Sequence, residues 1–279
     1  MQQKSYNNEP TLFLVPTPIG NLEDITIRAL NVLKKVKVIF AEDTRETKKL
    51  LINYNIKKKL ISAYDYNEKI VKYKMVNYLR EGYSIALVSD RGAPLICDPG
   101  YECVLYVIKN GYNVVSLPAG TAFVPALLMS GIEPYPFVFW GFLSHSKTKK
   151  RKELTAIANL NFTIIFYESP HRLSDTLNEV YNIMGNRYIS IAREISKKYE
   201  EIYRGKIKEI INELEIIKGE IVIIIEGNKN SIKCFDLSPI EQINVYIKKG
   251  ILVNKAIKMV AKERNLNKNE LYKQYHIRK

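Results

Sequence analysis

The chain has 279 residues, 46% hydrophobic and 26% charged, with a formal net charge of +14. That balance excludes wholesale disorder, and the length gives room for two domains with a small appendage. The polar start MQQKSYNNEP is unlike a signal peptide, and no apolar run approaches the ~18 residues of a membrane span. Cys97, Cys103 and Cys234 form neither a CxxC pair nor an even disulfide set. A soluble cytoplasmic protein with no membrane partner is expected. The cationic surplus favours a polyanionic partner, because neutralising phosphates releases counterions. The competing explanation is lysine drift on a solvated surface.

In chain order, TLFLV (11–15) reads as a strand. Leu22, Ile25, Ala29, Leu33 and Val36 then fall on one helix face, with Asn21 as the expected N-cap. VKVIFA (36–41), a helix near 45–53, LISAY (60–64), a helix over 67–80 and a strand at 84–89 follow. A helix over 101–109 and the strand NVVSL (113–117) complete a βαβ rhythm, which predicts a largely parallel sheet. Gly82 and Gly111 mark helix ends. Further strands are predicted at 136–143, 162–168, 188–194, 200–205 and 220–227, some so closely spaced that antiparallel pairing and a mixed sheet are expected. After Gly227 comes a linker. The tail then reads as short amphipathic helices, the last pair either a helix-turn-helix that meets nucleic acid or a plain helical cap.

Three Pro/Gly loops, VPTPIGN (15–21), LVSDRGAPLICDPGY (87–101) and SLPAGTA (116–122), each follow a strand and precede a helix. Each alone is ordinary turn chemistry. Together they point to one ligand site at the carboxyl edge of an open sheet. There is no GxxxxGK[ST], no strand-borne GxGxxG and no GxSxG. The three histidines lack zinc spacing, so no metal site is expected.

VPTPIGNLEDITIRAL, AEDTRETKKLL, the 87–101 loop, FYESPHRL and GEIV…EG, in that order, resemble the motifs of the ribosomal RNA small subunit methyltransferase I family. That family sits in the tetrapyrrole methylase (class III) superfamily. The resemblance covers about residues 11–227, and the tail looks like the helix-turn-helix appended in the family. It implies an α/β fold of two domains: a parallel-rich N-terminal sheet and a mixed C-terminal one, followed by a small helical domain. The corresponding bounds are a disordered 1–10, domains at 11–119 and 120–228, a linker at 229–238, and an RNA-binding tail at 239–279. The implied activity is S-adenosyl-methionine-dependent 2′-O-methylation of a decoding-centre cytidine in 16S rRNA, on the 30S subunit, by a homodimer.

Carried across by motif, the resemblance implies cofactor contacts at Pro16, Gly20, Ser89, Asp90, Gly92, Ala93, Pro94, Ile96, Thr121, Ala122, Phe142, Leu143 and Tyr167. A ribose hydroxyl is a poor nucleophile, and Glu42, Asp43, Glu168 and His171 are the acid–base candidates. Ion pairing for Glu42 and Asp43, and capping or packing for His171, are the plainer alternatives. Arg45 and Arg172 are candidates to grip phosphate bidentately. Lys147, Lys149, Lys150, Arg151 and Lys152 read as an RNA-gripping run or as a solvated helix face.

The chain departs from the family loop SDAGTPLISDPG at Arg91, Ala93 and Cys97, and from PLPGPSA at Ala119. Arg91 is the awkward change, since a cation beside a sulfonium is unfavourable unless it points away. Two further readings are a tetrapyrrole methyltransferase and a catalytically weakened rRNA-binding assembly factor with the same fold. The basic balance, AEDTR, YESPHR and the tail disfavour the former; the altered loops alone suggest the latter.

Overall fold

The computed structural model describes residues 3–5, 7–118, 120–213, 218–229, 237–248, 250–264 and 266–277. The first sheet is built by β1 (Thr11–Leu14), α1 (Ile27–Lys35), β2 (Val38–Ala41), α2 (Thr44–Asn53), β3 (Lys59–Ser62), α3 (Glu68–Arg80), β4 (Ile85–Val88), α4 (Tyr101–Lys109) and β5 (Asn113–Ser116). Its strand order is β3-β2-β4-β1-β5, and every pairing is parallel. The apolar runs carry little alternation because helices cover both faces. Phe40 and Leu87 pack with Met75 and Val107 on one face, while Ile39 and Val88 pack with Leu33 and Leu51 on the other.

α1 starts five residues later than its periodicity suggests. Asn21 caps a single 3-10 turn, Leu22–Asp24, by accepting from Glu23 N. Thr26 then caps α1 itself by accepting from Ala29 N at 3.0 Å. Two successive caps satisfy the first free amides more locally than one long helix would. The segment before β1, expected to be disordered, is tied at Gln3, whose side-chain amide donates to Val114 O (2.8 Å) and accepts from Val114 N (2.9 Å) along the β5 edge.

The second sheet comprises α5 (Phe123–Met129), β6 (Phe137–Phe142), α6 (Lys147–Ile157), β7 (Thr163–Glu168), α7 (Pro170–Met184), β8 (Tyr188–Arg193), β9 (Glu201–Lys206), α8 (Ile207–Glu213) and β10 (Ile221–Ile225). Its order is β6-β7-β10-β8-β9, parallel only between β6 and β7, so it is mixed as expected. The period of two decides what each strand residue meets. Ile164, Phe166, Ile221 and Ile223 face the core with α6, α7 and α8; Ile165, Val222 and Ile224 face α5. The tail folds as α9 (Pro239–Lys248), α10 (Val253–Glu263) and α11 (Lys268–Ile277), packed around Ile243, Ile257, Val260, Leu271 and Tyr275. Most of the expected linker, with Cys234, lies outside the described residues, as does Ala119. Among the described residues no helix is long and apolar enough to cross a membrane.

Candidate active site

β4, β1 and β5 are adjacent, so the three Pro/Gly loops leave the sheet side by side at its carboxyl edge. Thr17 and Gly92 join two of them by exchanging backbone hydrogen bonds, each 2.9 Å. The 89–100 loop is tightly wound: Gly92, Leu95, Cys97 and Gly100 all have positive φ. Leu95 (73°) and Cys97 (66°) hold that conformation without glycine's freedom, a strain that clusters at binding sites. At Gly92 a side chain would press on Ile19, its Cβ falling 3.3 Å from Ile19 Cγ2. Opposite, a bulge at Gly141 in β6 (φ 80°) lets Cys97 come close; a Cβ there would lie 3.0 Å from its sulfur.

The second sheet presents to these loops the ends of β6, β7 and β8 and the start of β10. Between the two edges lies a cavity of about 330 Å³. Gly92, Ala93, Ile96, Thr121, Ala122, Phe142 and Tyr167, all expected from the motifs, line it. An aromatic row supports its far wall: Phe123 stacks on Phe139 at 4.4 Å, and Tyr167 packs against Phe139 (4.9 Å) and Phe142 (5.5 Å). Burial pushes the Tyr167 hydroxyl up to about 12. The wall also holds Ile19 from the first loop and the Glu168 to Pro170 turn of the YESPHR motif, and it adds Cys97, Asp98, Ile195 and Gly219 to Val222, which the motif reading passed over. For Asp98 the signal was present, an acid at the end of the strained loop. For Gly219 to Val222 it lay in the GEIV motif, whose place beside the loops only the sheet order reveals.

The cavity is acid-flanked. Burial, then the charge of Glu42, pushes Asp98 up to about 6, against the lowering effect of a Ser89 hydrogen bond. Burial and Asp90 raise Glu42, and burial raises Asp90 despite its bond from Asp43 N (3.0 Å). Arg91 turns its guanidinium onto the Glu220 carboxylate. Lys197 also donates to Glu220 (3.0 Å) and to Glu194 (2.7 Å). The cation that departs from the motif is thus answered by an acid on the opposite edge.

Other expected site residues lie elsewhere. Leu143 is in the α6–α7 core, because the residue after Phe142 falls on the opposite side of the strand end. Pro16 and Pro94 are buried off the cavity wall, shaping the loops. Gly20, Ser89 and Asp90 line a neighbouring cleft. Glu168 does border the cavity, but the residue is 2% exposed, its carboxylate accepting from Thr176 Oγ1 (2.6 Å) and Ser169 N (2.9 Å) and pairing with Arg172 (3.3 Å). Arg172 donates onward to Leu143 O and Ser144 O, and Lys150 to Thr176 Oγ1 at 2.9 Å. These three are an internal brace between β7, α6 and α7, so Arg172 and Lys150 do not face a phosphate and Glu168 has no open base position. Asp43 caps α2 and is held down to about 2 by hydrogen bonds from Arg45. His171 is exposed and on neither cavity wall. Arg151 forks onto Glu179 (2.7 and 3.1 Å), while Lys149 and Lys152 are exposed.

The family model for tetrapyrrole (corrin/porphyrin) methylases matches residues 11–211. The chain belongs to the tetrapyrrole methylase family. Among its relatives it is 45% identical to the Ribosomal RNA small subunit methyltransferase I of Bacillus subtilis (strain 168), covering 99% of both chains. It is 44% identical to the protein of that name from Halalkalibacterium halodurans, covering 98% of both. Among solved tetrapyrrole-methylase-like folds, the methyltransferase CobJ superposes with a TM-score of 0.60 at 15% identity, over 78% of this chain and 94% of that one. The chain is a methyltransferase of this family, with a parallel sheet and a mixed sheet facing each other across the cavity.

Proposed function

We propose that the chain methylates the ribose 2′-hydroxyl of a decoding-centre cytidine in 16S rRNA, on the small ribosomal subunit in the cytoplasm, using S-adenosyl-methionine. The observation that carries the cofactor reading is the cavity itself. Its volume suits a nucleoside-sized ligand, its aromatic and aliphatic walls suit an adenine, and Asp98 suits a cation. Gly92, Ala93 and Ile96 from the β4 loop, Thr121 and Ala122 from the β5 loop, and Phe142 and Tyr167 opposite would hold the group.

S-adenosyl-methionine, when bound, would supply a sulfonium methyl; transfer to the ribose oxygen would form the O–C bond, break the C–S bond, leave a neutral thioether and pass the hydroxyl proton to water. The protein's part is alignment and exclusion of water. The strained loop fixes the cofactor wall before binding, and the Arg91–Glu220 pair removes the one cation that would repel a sulfonium.

The rRNA reading draws on the net charge of +14 and on the names of the close relatives. Exposed Lys149 and Lys152 on α6 and Lys258 and Lys273 on the tail helices are the phosphate contacts proposed in place of the braced cations. Homodimerisation is proposed through β6, an edge strand whose Phe137, Trp140 and Phe142 are 42%, 39% and 53% exposed. Incubation of the full chain with small subunits and methyl-labelled S-adenosyl-methionine tests the function. Label in ribose at one cytidine of 16S rRNA is expected; label absent from RNA contradicts it.

A further inference from the structure

A second cleft, of about 490 Å³, backs onto the cavity. The partition between them is the pair of loops joined at Thr17 and Gly92. Ile19, Gly92 and Ala93 face the cavity, whereas Pro18, Gly20, Ser89 and Asp90 face the cleft. Arg91 borders both, so a group at that rim reaches either side.

The chemistry of the cleft is selective. Glu46, Asp90 and Glu194 are matched by Lys49, Arg91 and Lys197, with Lys49 on Glu46 at 2.6 Å and Lys197 on Glu194 at 2.7 Å. No positive surplus is left for a polycarboxylate or a chain of phosphates. Pro18, Leu22 and Leu50 supply apolar wall for the face of a planar ring. Asn53 and Asp90 supply polar edges. Thr47, on the α2 side, is 3% exposed, and among the described residues its hydroxyl has no hydrogen-bond partner. Such a buried orphan is costly and calls for an explanation, which a ligand's polar edge provides.

We propose that this cleft receives the acceptor nucleoside, turned out of the RNA, with its ribose at the Arg91 rim and the amino group of its base toward Asp90. The proposal rests on the function argued above and names where its substrate sits. Extruded bases are held in this way, between apolar faces and polar edges, and a carboxylate accepts from the cytosine amino group.

The test is titration of cytidine into the full chain, saturated with S-adenosyl-homocysteine, with the methyl groups of Leu22, Thr47 and Leu50 followed by NMR. Saturable shifts at these methyls are expected, with uridine weaker by about three- to tenfold for the lost hydrogen bond. Thr47→Val, which removes a hydroxyl without a partner among the described residues, is expected to keep the melting temperature and weaken cytidine by a similar factor. Shifts confined to the first cavity, equal binding of uridine, or unchanged cytidine affinity in Thr47→Val would overturn the assignment. Methyl transfer to small subunits by the unaltered chain tests the function separately, and the cytidine shifts judge the cleft whether or not that assay succeeds.

Discussion

Asp98 is raised because it is half-buried near Glu42 and Asp90. In the window from about pH 4 to about 6 the native state binds a proton the unfolded chain has lost, so stability falls as pH rises through it. Asp98→Asn is therefore predicted to melt higher than the parent at pH 8, the difference fading toward pH 4; equal melting curves at pH 8 would refute this. A cation in the cavity lowers Asp98, so S-adenosyl-methionine binding near pH 6 is predicted to release protons, measured by calorimetry in buffers of different ionisation enthalpy. No release, or the same release from Asp98→Asn, would count against a sulfonium beside this acid. Arg91 and Glu220 make a second residue-scale case. Their pair is more than half exposed, worth about 0.2–1 kcal/mol to the fold, but its larger effect is on charge near the ligand. Glu220→Gln is predicted to weaken S-adenosyl-methionine binding several-fold, with Arg91→Ala restoring most of the loss in the double variant. No rescue would mean that Arg91 does not face the ligand.

At the scale of elements, the three loops were legible from Pro/Gly placement after strands, because parallel strands must deliver such loops to one edge. What side chains do at element ends was less legible. Leu143 and Glu168 each belong to a cavity-edge motif, yet Leu143 enters the core and Glu168, at the end of β7, turns its carboxylate onto Arg172 in the first turn of α7. The lysine run on α6 shows the same limit. A dense cationic stretch on a helix winds through all directions, so Lys150 meets Thr176 inside while Lys149 and Lys152 remain outside. Lys149→Ala/Lys152→Ala is predicted to weaken small-subunit binding and lower the salt slope by about 1–2, without loss of stability. Lys150→Ala is predicted to lower the melting temperature by leaving the Glu168–Thr176 brace incomplete. A filter-binding salt series and thermal melts separate the two, and identical behaviour of both variants would refute the distinction.

At the scale of the molecule, the βαβ order of the first half and the crowded strands of the second foretold a parallel and a mixed sheet, because strand spacing constrains strand direction. That the two sheets meet edge to edge was not readable from spacing. It is seen in long-range pairs such as Arg91 with Glu220 and Ser196 with Asp24, residues far apart in sequence. The exposed aromatics of β6 carry a prediction at this scale: sedimentation should find a dimer for the parent chain and a monomer for Trp140→Glu, and a monomeric parent would remove β6 as an interface. The central claim, ribose methylation of 16S rRNA, is tested most directly by mass spectrometry of 16S rRNA from cells lacking this chain and from the same cells with it restored. A 2′-O-methyl group at one decoding-centre cytidine is expected to disappear and return. A methylation pattern identical in both would contradict it.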